Sequence, residues 1–192
     1  MKGDRMNLLN SFSFELPTRI EYGPDASLQL ETSLKVLGAK RILIVTDKGI
    51  YKAGLLHEIV KQLEEDKLYW TICDDVEPNP KDYNVRKGAE KARQEHVDCL
   101  VAVGGGSPID CAKAISVVAT HGGVVRTYED RGKIIDDVLP LIAIPTTAGT
   151  GSEVTFSAVI TDTREKFKFT VKHPKIAPKI ALVDPNMTMT MS

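Results

Sequence analysis

Val101-Ala102-Val103-Gly104-Gly105-Gly106-Ser107-Pro108-Ile109-Asp110 decides how the chain is read. An apolar run suited to a buried strand meets three glycines and then the start of a helix. Ser107 suits the helix N-cap, Pro108 the first helical position and Asp110 the third, in a capping-box arrangement. Glycines admit positive φ and let a ligand approach the backbone. The unbonded N–H groups and positive end of a helix favour an anion. The stretch is therefore a candidate pyrophosphate cradle. The plain alternative is a strand-to-helix turn that binds nothing, but one glycine would serve that purpose. The GxGxxG fingerprint would need glycine at 109, where Ile109 stands. Gly49 and Gly54 have P-loop spacing, but Leu55-Leu56 follow them, and no GxSxG elbow occurs. Phosphate binding is supported and nucleotide hydrolysis is not.

Outward from this loop the chain has a βα rhythm. Arg41–Thr46, Leu68–Cys73, Cys99–Val103 and Leu139–Ile144 are short apolar runs fit for buried parallel strands. Between them, Leu55, Leu56, Ile59, Val60 and Leu63 recur at helical spacing, as do Val85, Ala89 and Ala92, and then Ala112, Ile115, Val118 and Ala119. Upstream, Leu28, Leu30, Leu34 and Leu37 predict a helix over 26–37 that Gly38 ends. Residues 11–22 alternate apolar and polar through Phe12, Phe14, Leu16, Ile20 and Tyr22, interrupted by Pro17. They read as two short edge strands. Phe156–Thr161 and Lys168–Val171 read as a hairpin, and Ile180–Val183 as a last short strand. The predicted fold is α/β: a Rossmann-like, mostly parallel sheet flanked by helices, with edge strands and a hairpin. The chain stops soon after Asp184-Pro185, so a further domain is expected to follow.

A second loop, Pro145-Thr146-Thr147-Ala148-Gly149-Thr150-Gly151-Ser152-Glu153-Val154-Thr155, follows the fourth strand. Loops at the carboxyl ends of parallel strands face the ligand crevice, where hydroxyls can bond ribose or phosphate. A polar surface loop is the alternative. Asp47 closes the run Ile44-Val45-Thr46. A carboxylate there can accept from both ribose hydroxyls and would repel a 2′-phosphate, or it can simply cap a turn or helix.

Other chemistries find little support. Lys+Arg total 25 and Asp+Glu 26, a net charge of −1, which argues against broad binding to nucleic acid. No apolar run reaches the roughly 18 residues of a membrane span, and MKGDRMNLLN lacks the apolar core of a secretory signal. Cys73, Cys99 and Cys111 form no CxxC and suit a reduced, cytoplasmic protein. His57, His96, His121 and His173 form no HxxH or HxxxH pair, and His57 and His96 sit in charged helical stretches. Neither a metal cluster nor a Ser-His-Asp arrangement is visible.

Four stretches together carry a resemblance: GGGSPIDCAKAI (104–115), PTTAGTGSEVT (145–155), EPNP (77–80) and ALVDP (181–185). The chain resembles the iron-containing alcohol dehydrogenase family from ELPTRIEYG (15–23) onward. The resemblance implies that residues 1–192 are the N-terminal NAD(P)-binding α/β domain of the dehydroquinate synthase-like superfamily. The helical C-terminal domain with its aspartate and three histidine ligands would lie beyond Ser192. It implies an intact enzyme, homo-oligomeric, that transfers a hydride between a small alcohol or aldehyde and NAD, with NADP as the other cofactor to consider and Fe2+ as Lewis acid. The isolated chain is then expected to fold but not to turn over. Glycerol dehydrogenase, a dehydroquinate synthase-like relative and a non-catalytic nucleotide-binding module are the alternatives; PTTAGTGSEVT favours the alcohol dehydrogenases.

Carried across by residue, the resemblance places the ribose acid at Asp47 and an adenosine-end asparagine at Asn79. The diphosphate loop falls on Gly104, Gly105, Gly106, Ser107 and Pro108. Groove hydroxyls fall on Thr146, Thr147 and Thr155. A lysine reaching the cofactor across the hairpin falls on Lys168, with Lys166 its rival in EKFKF. No catalytic residue and no metal ligand is assigned.

Overall fold

A computed structural model describes residues 16–189; the strand expected over Phe12 and Phe14 lies outside them. The apolar runs become strands β1 (Arg19–Tyr22), β2 (Arg41–Val45), β3 (Tyr69–Cys73), β4 (Cys99–Gly104), β5 (Leu141–Pro145) and β8 (Ile180–Val183). They form one sheet in the order β1-β8-β5-β4-β2-β3, every neighbour parallel. β1 is an exposed edge strand, whereas every residue of β4 is buried. Strands β6 (Ser157–Asp162) and β7 (Phe167–Lys172) form the expected antiparallel hairpin as a separate two-stranded sheet.

The period-2 alternation of side chains sorts the core into two layers. Leu43, Val45, Leu100, Ala102, Leu141 and Ala143 face helices α4 (Asp82–Gln94) and α5 (Gly106–His121); of the hairpin, β6 packs on α5 with Ala158 and Ile160 in the core, and β7 packs on the 3-10 turn Val125–Glu129 with Phe169 and Val171 in the same cluster. Ile42, Ile44, Val101, Val103, Ile142 and Ile144 face α1 (Leu30–Leu37) and α3 (His57–Glu65). The helix expected over 26–37 is shorter: a 3-10 turn covers Ala26–Gln29 and α1 follows. Leu28 points outward, and Gly38 closes α1 with φ 68°.

The topology creates a crevice. The chain leaves β2 toward the α1/α3 layer and leaves β4 toward the α4/α5 layer. The two connections diverge to opposite faces at the carboxyl ends of adjacent strands, where open α/β sheets bind ligands.

Gly88 sets the contact between α4 and α5. A Cβ there would lie 2.3 Å from Ile115 Cδ1 and 2.8 Å from its Cγ1. Ile115 is fully buried and cannot swing away. Gly88→Ala is therefore expected to destabilise by about 1 kcal/mol, because overpacking of about 2 kcal/mol outweighs a helix-propensity gain of about 1. Urea denaturation checks this, and Ile115→Val, which removes Cδ1 but keeps Cγ1, should cost less in the Gly88→Ala background than in the wild type.

Candidate functional site

A cleft of about 1000 Å³ lies across the carboxyl ends of β2, β3, β4 and β5. Its floor is the glycine loop. The chain turns off β4 at Gly104, with φ 148°, and α5 begins at once, with Gly105 as its N-cap. The helix thus starts two residues earlier than Ser107-as-cap requires. Only unbonded first-turn N–H positions precede the first full helical bond, so Pro108 is tolerated within the turn. No side chain caps this end, which leaves first-turn N–H groups for a ligand. Ser107 instead accepts the Asn79 N–H at 3.2 Å, and Asp110 accepts the Val159 N–H at 3.0 Å.

The second loop closes over the first, which explains the glycines. A Cβ on Gly105 would meet Thr147 Oγ1 at 3.2 Å, and one on Gly106 would meet Ser152 Oγ at 3.2 Å. Thr146 Oγ1 and Thr147 Oγ1 are buried without a hydrogen-bond partner, although both residues line the cleft. Buried hydroxyls normally find partners, so two orphans beside an uncapped helix start fit an oxygen-rich ligand such as a dinucleotide. Opposite, Asp47 caps the short helix α2 (Lys48–Lys52), accepting the Gly49 and Ile50 N–H groups at 2.8 and 3.0 Å. Both bonds fall on Oδ1, so Asp47 caps a helix with one oxygen while the residue lines the cleft.

The predicted site residues divide. Asp47, Gly105, Gly106, Ser107, Pro108, Thr146 and Thr147 line the cleft. Gly104, Asn79, Thr155 and Lys168 are not among the lining residues. Gly104 pairs with Pro145 within the sheet. Asn79, at φ 54°, is held beside the cleft by Ser107, and its Oδ1 accepts Lys168 Nζ at 2.7 Å. Lys166, the rival, sits exposed before β7. Thr155 Oγ1 accepts Lys113 Nζ at 3.2 Å.

Lys113 is a functional-looking residue that the sequence reading missed. It is fully buried, donates to Ser157 O at 2.9 Å and stands 3.7 Å from Asp110 Oδ1. Burial pulls its ammonium down to about 8, against the opposing charges of Asp110 and Glu153. Burial likewise raises the Asp110 carboxyl, opposed by the Val159 N–H and Lys113. The pair ties α5 to the end of the second loop and to β6. Its signal in the sequence was a charged pair at i, i+3 inside an otherwise apolar helix. Asp75 and Lys87 also line the cleft and stood in stretches with no motif of their own, whereas Thr150 lines it from within the second loop, where it was assigned no role.

Other chemistry is poorly served. Burial pushes the Cys73 thiol up to about 12, and raises Cys99 and Cys111 as well, so none is an activated nucleophile. Among the described residues, no three His, Cys, Asp or Glu side chains come together as a metal-ligand set. No helix among them is long and apolar enough to cross a membrane.

A family model described as iron-containing alcohol dehydrogenase matches residues 17–185. A choline dehydrogenase from Bacillus subtilis (strain 168) is 44% identical over 182 residues, covering 93% of this chain and 45% of that protein. An NAD-dependent methanol dehydrogenase from Bacillus methanolicus is 42% identical over 175 residues, covering 91% of this chain and 46% of its own length. A solved sulfoacetaldehyde reductase from Bifidobacterium kashiwanohense, in complex with NAD+, superimposes with a TM-score of 0.88 at 30% identity. It covers 95% of this chain and 48% of that one. The chain thus spans about half the length of the curated relatives it matches.

Proposed function

Because the chain belongs to the iron-containing alcohol dehydrogenase family, we propose that residues 1–192 form its NAD-binding α/β domain and hold the cofactor in the cleft described above. The observation that carries this is the pair of orphaned hydroxyls, Thr146 and Thr147, on residues that line the cleft beside an uncapped helix start. The N–H groups at the start of α5 receive the diphosphate, Thr146 and Thr147 bond its oxygens or the adjoining ribose, and Asp47 Oδ2 accepts from the adenosine ribose. Bound NAD+ supplies the hydride acceptor for a small alcohol, and NADH the donor for the aldehyde. The chain's own contribution is position and electrostatics. Iron belongs to the intact enzyme, a homo-oligomer of the cytoplasm in this reading, and its ligands are not assigned to any residue described here.

The test is fluorescence titration of the chain with NADH. Saturable binding at one site per chain is expected; no saturation up to millimolar NADH would overturn the reading. Selectivity follows from Asp47. NADH is expected to bind about tenfold more tightly than NADPH, or about 1.4 kcal/mol, because the carboxylate faces the extra phosphate while Lys48 offsets only part of the repulsion. Asp47→Gly should narrow or invert that ratio. Glycine at an N-cap costs a helix only a few tenths of a kcal/mol, so α2 should survive the substitution. Equal affinities in the wild type, unchanged by the substitution, would reduce Asp47 to its capping role.

A further inference from the structure

Strands β2 and β3 run parallel and in register, Val45 beside Cys73. Two residues past each partner stands a carboxylate, Asp47 and Asp75, and both line the cleft. Asp47 Oδ1 is committed to its helix cap. Asp75 is committed to a lysine: its Oδ2 accepts Lys87 Nζ at 3.0 Å, while its Oδ1 stands 3.4 Å from Cys73 Sγ. The backbone around Asp75 is fixed, since its carbonyl accepts the amide of the fully buried Asn84 at 3.0 Å. Asn84 and Lys87 are one turn apart on α4, so one helix both places Asp75 and supplies its cation. The Lys87 side chain is 57% exposed and itself lines the cleft. It is an exposed cation that lines the same cleft as Asp47, paired with Asp75 and with its Nζ 5.9 Å from the Tyr83 ring centroid.

We propose that Asp75 and Lys87 form a second determinant of dinucleotide choice: Asp75 engages the Lys87 ammonium and so withholds it from a phosphate on the adenosine ribose. This rests on the reading that the cleft holds a nicotinamide dinucleotide. A 2′-phosphate entering there meets two carboxylates, with Lys48 nearby and Lys87 already neutralised. Breaking the Asp75–Lys87 pair removes one negative charge and releases a flexible lysine toward the phosphate. The 2′-hydroxyl of NAD carries no charge and gains little from the same change. The pair therefore acts on the ratio of the two affinities, and it acts through the lysine.

The test is titration of the wild-type chain, Asp75→Asn, Lys87→Gln and the double variant with NADH and NADPH. The readout is the ratio of the NADPH to the NADH dissociation constant. It should fall about tenfold in Asp75→Asn, rise above wild type in Lys87→Gln, and return toward wild type in the double variant. The fall in Asp75→Asn should shrink with added salt, as phosphate–cation attraction is screened. A ratio that Asp75→Asn leaves unchanged, or a fall that survives intact in the double variant, overturns the proposal while NADH binding itself stands. A wild-type chain that binds neither cofactor overturns the dinucleotide reading and this proposal with it. Lys87→Gln replaces an exposed side chain, so it reads the pair even if Asp75→Asn fails to fold.

Discussion

Asp184→Ala is expected to lower the unfolding free energy by about 3 kcal/mol at neutral pH, the largest single-residue stability effect argued for this chain. Asp184 is buried just past β8, yet it accepts four bonds. They come from Asp25 N at 3.2 Å, Ser27 N at 3.2 Å, Ser27 Oγ at 2.6 Å and Asn186 N at 2.9 Å. One carboxylate thus pins the turn before α1 to the turn after β8. Charge-assisted bonds contribute about 1.5–3 kcal/mol each when isolated, and the loss also strands a buried Ser27 N–H. Burial pushes the Asp184 carboxyl up, but the Ser27 hydroxyl and the N–H groups of Asn186, Ser27 and Asp25 outweigh it and hold the group below the usual 3.8. Its stabilisation is therefore full above the unfolded value of about 4 and is lost as pH falls through the lower folded value. Urea denaturation should show a wild-type advantage that is constant from pH 7 to 5 and shrinks below about pH 4. An advantage under 1 kcal/mol at pH 7, or one that grows on acidification, would refute this account.

Gly105→Val is expected to weaken NADH binding by at least about 100-fold, or about 2.7 kcal/mol. The backbone does not demand glycine here, since Gly105 has φ −76°. Space does: a Cβ would stand 3.2 Å from Thr147, and the valine methyls would extend into the cleft between the two loops. Valine is also a poor N-cap and should cost α5 about 1 kcal/mol. Gly105→Ser separates the two effects. Serine is a good N-cap, so the fold should hold or gain slightly, while its side chain still crowds Thr147 and takes N–H groups meant for the diphosphate. Titration and thermal melting of both variants provide the check. NADH affinity within threefold of wild type in Gly105→Val would remove the glycine loop from the binding site.

Much of this was legible in the chain itself. Continuous apolar runs such as Arg41–Val45 and Cys99–Val103 carry the signature of strands buried on both faces, and both became interior strands. Local chemistry also placed the two loops at strand ends, because a strand followed by glycines and a helix start can arrange itself in few ways. The pattern did not reveal which short-range option a residue would take. Ser107 could cap the helix by its type, but the turn at Gly104 started the helix at Gly106 and left Ser107 to hold Asn79. Asp47 caps α2 and also lines the cleft, so its type alone did not separate the two roles.

What the sequence determined alone was the order of elements, the two-faced alternation of each strand and the residue types of the cradle. These depend on neighbours a few positions apart. Only the tertiary structure decided that β8 inserts between β1 and β5, that Asp184 reaches Ser27 across 157 positions, and that Lys113 is buried against Thr155 rather than solvated. Asp75 meeting Lys87 in the lining of the cleft is a decision of the same kind. Pairing of distant strands and desolvation of a charge depend on which surfaces meet after collapse, and neither leaves a periodic trace in the chain.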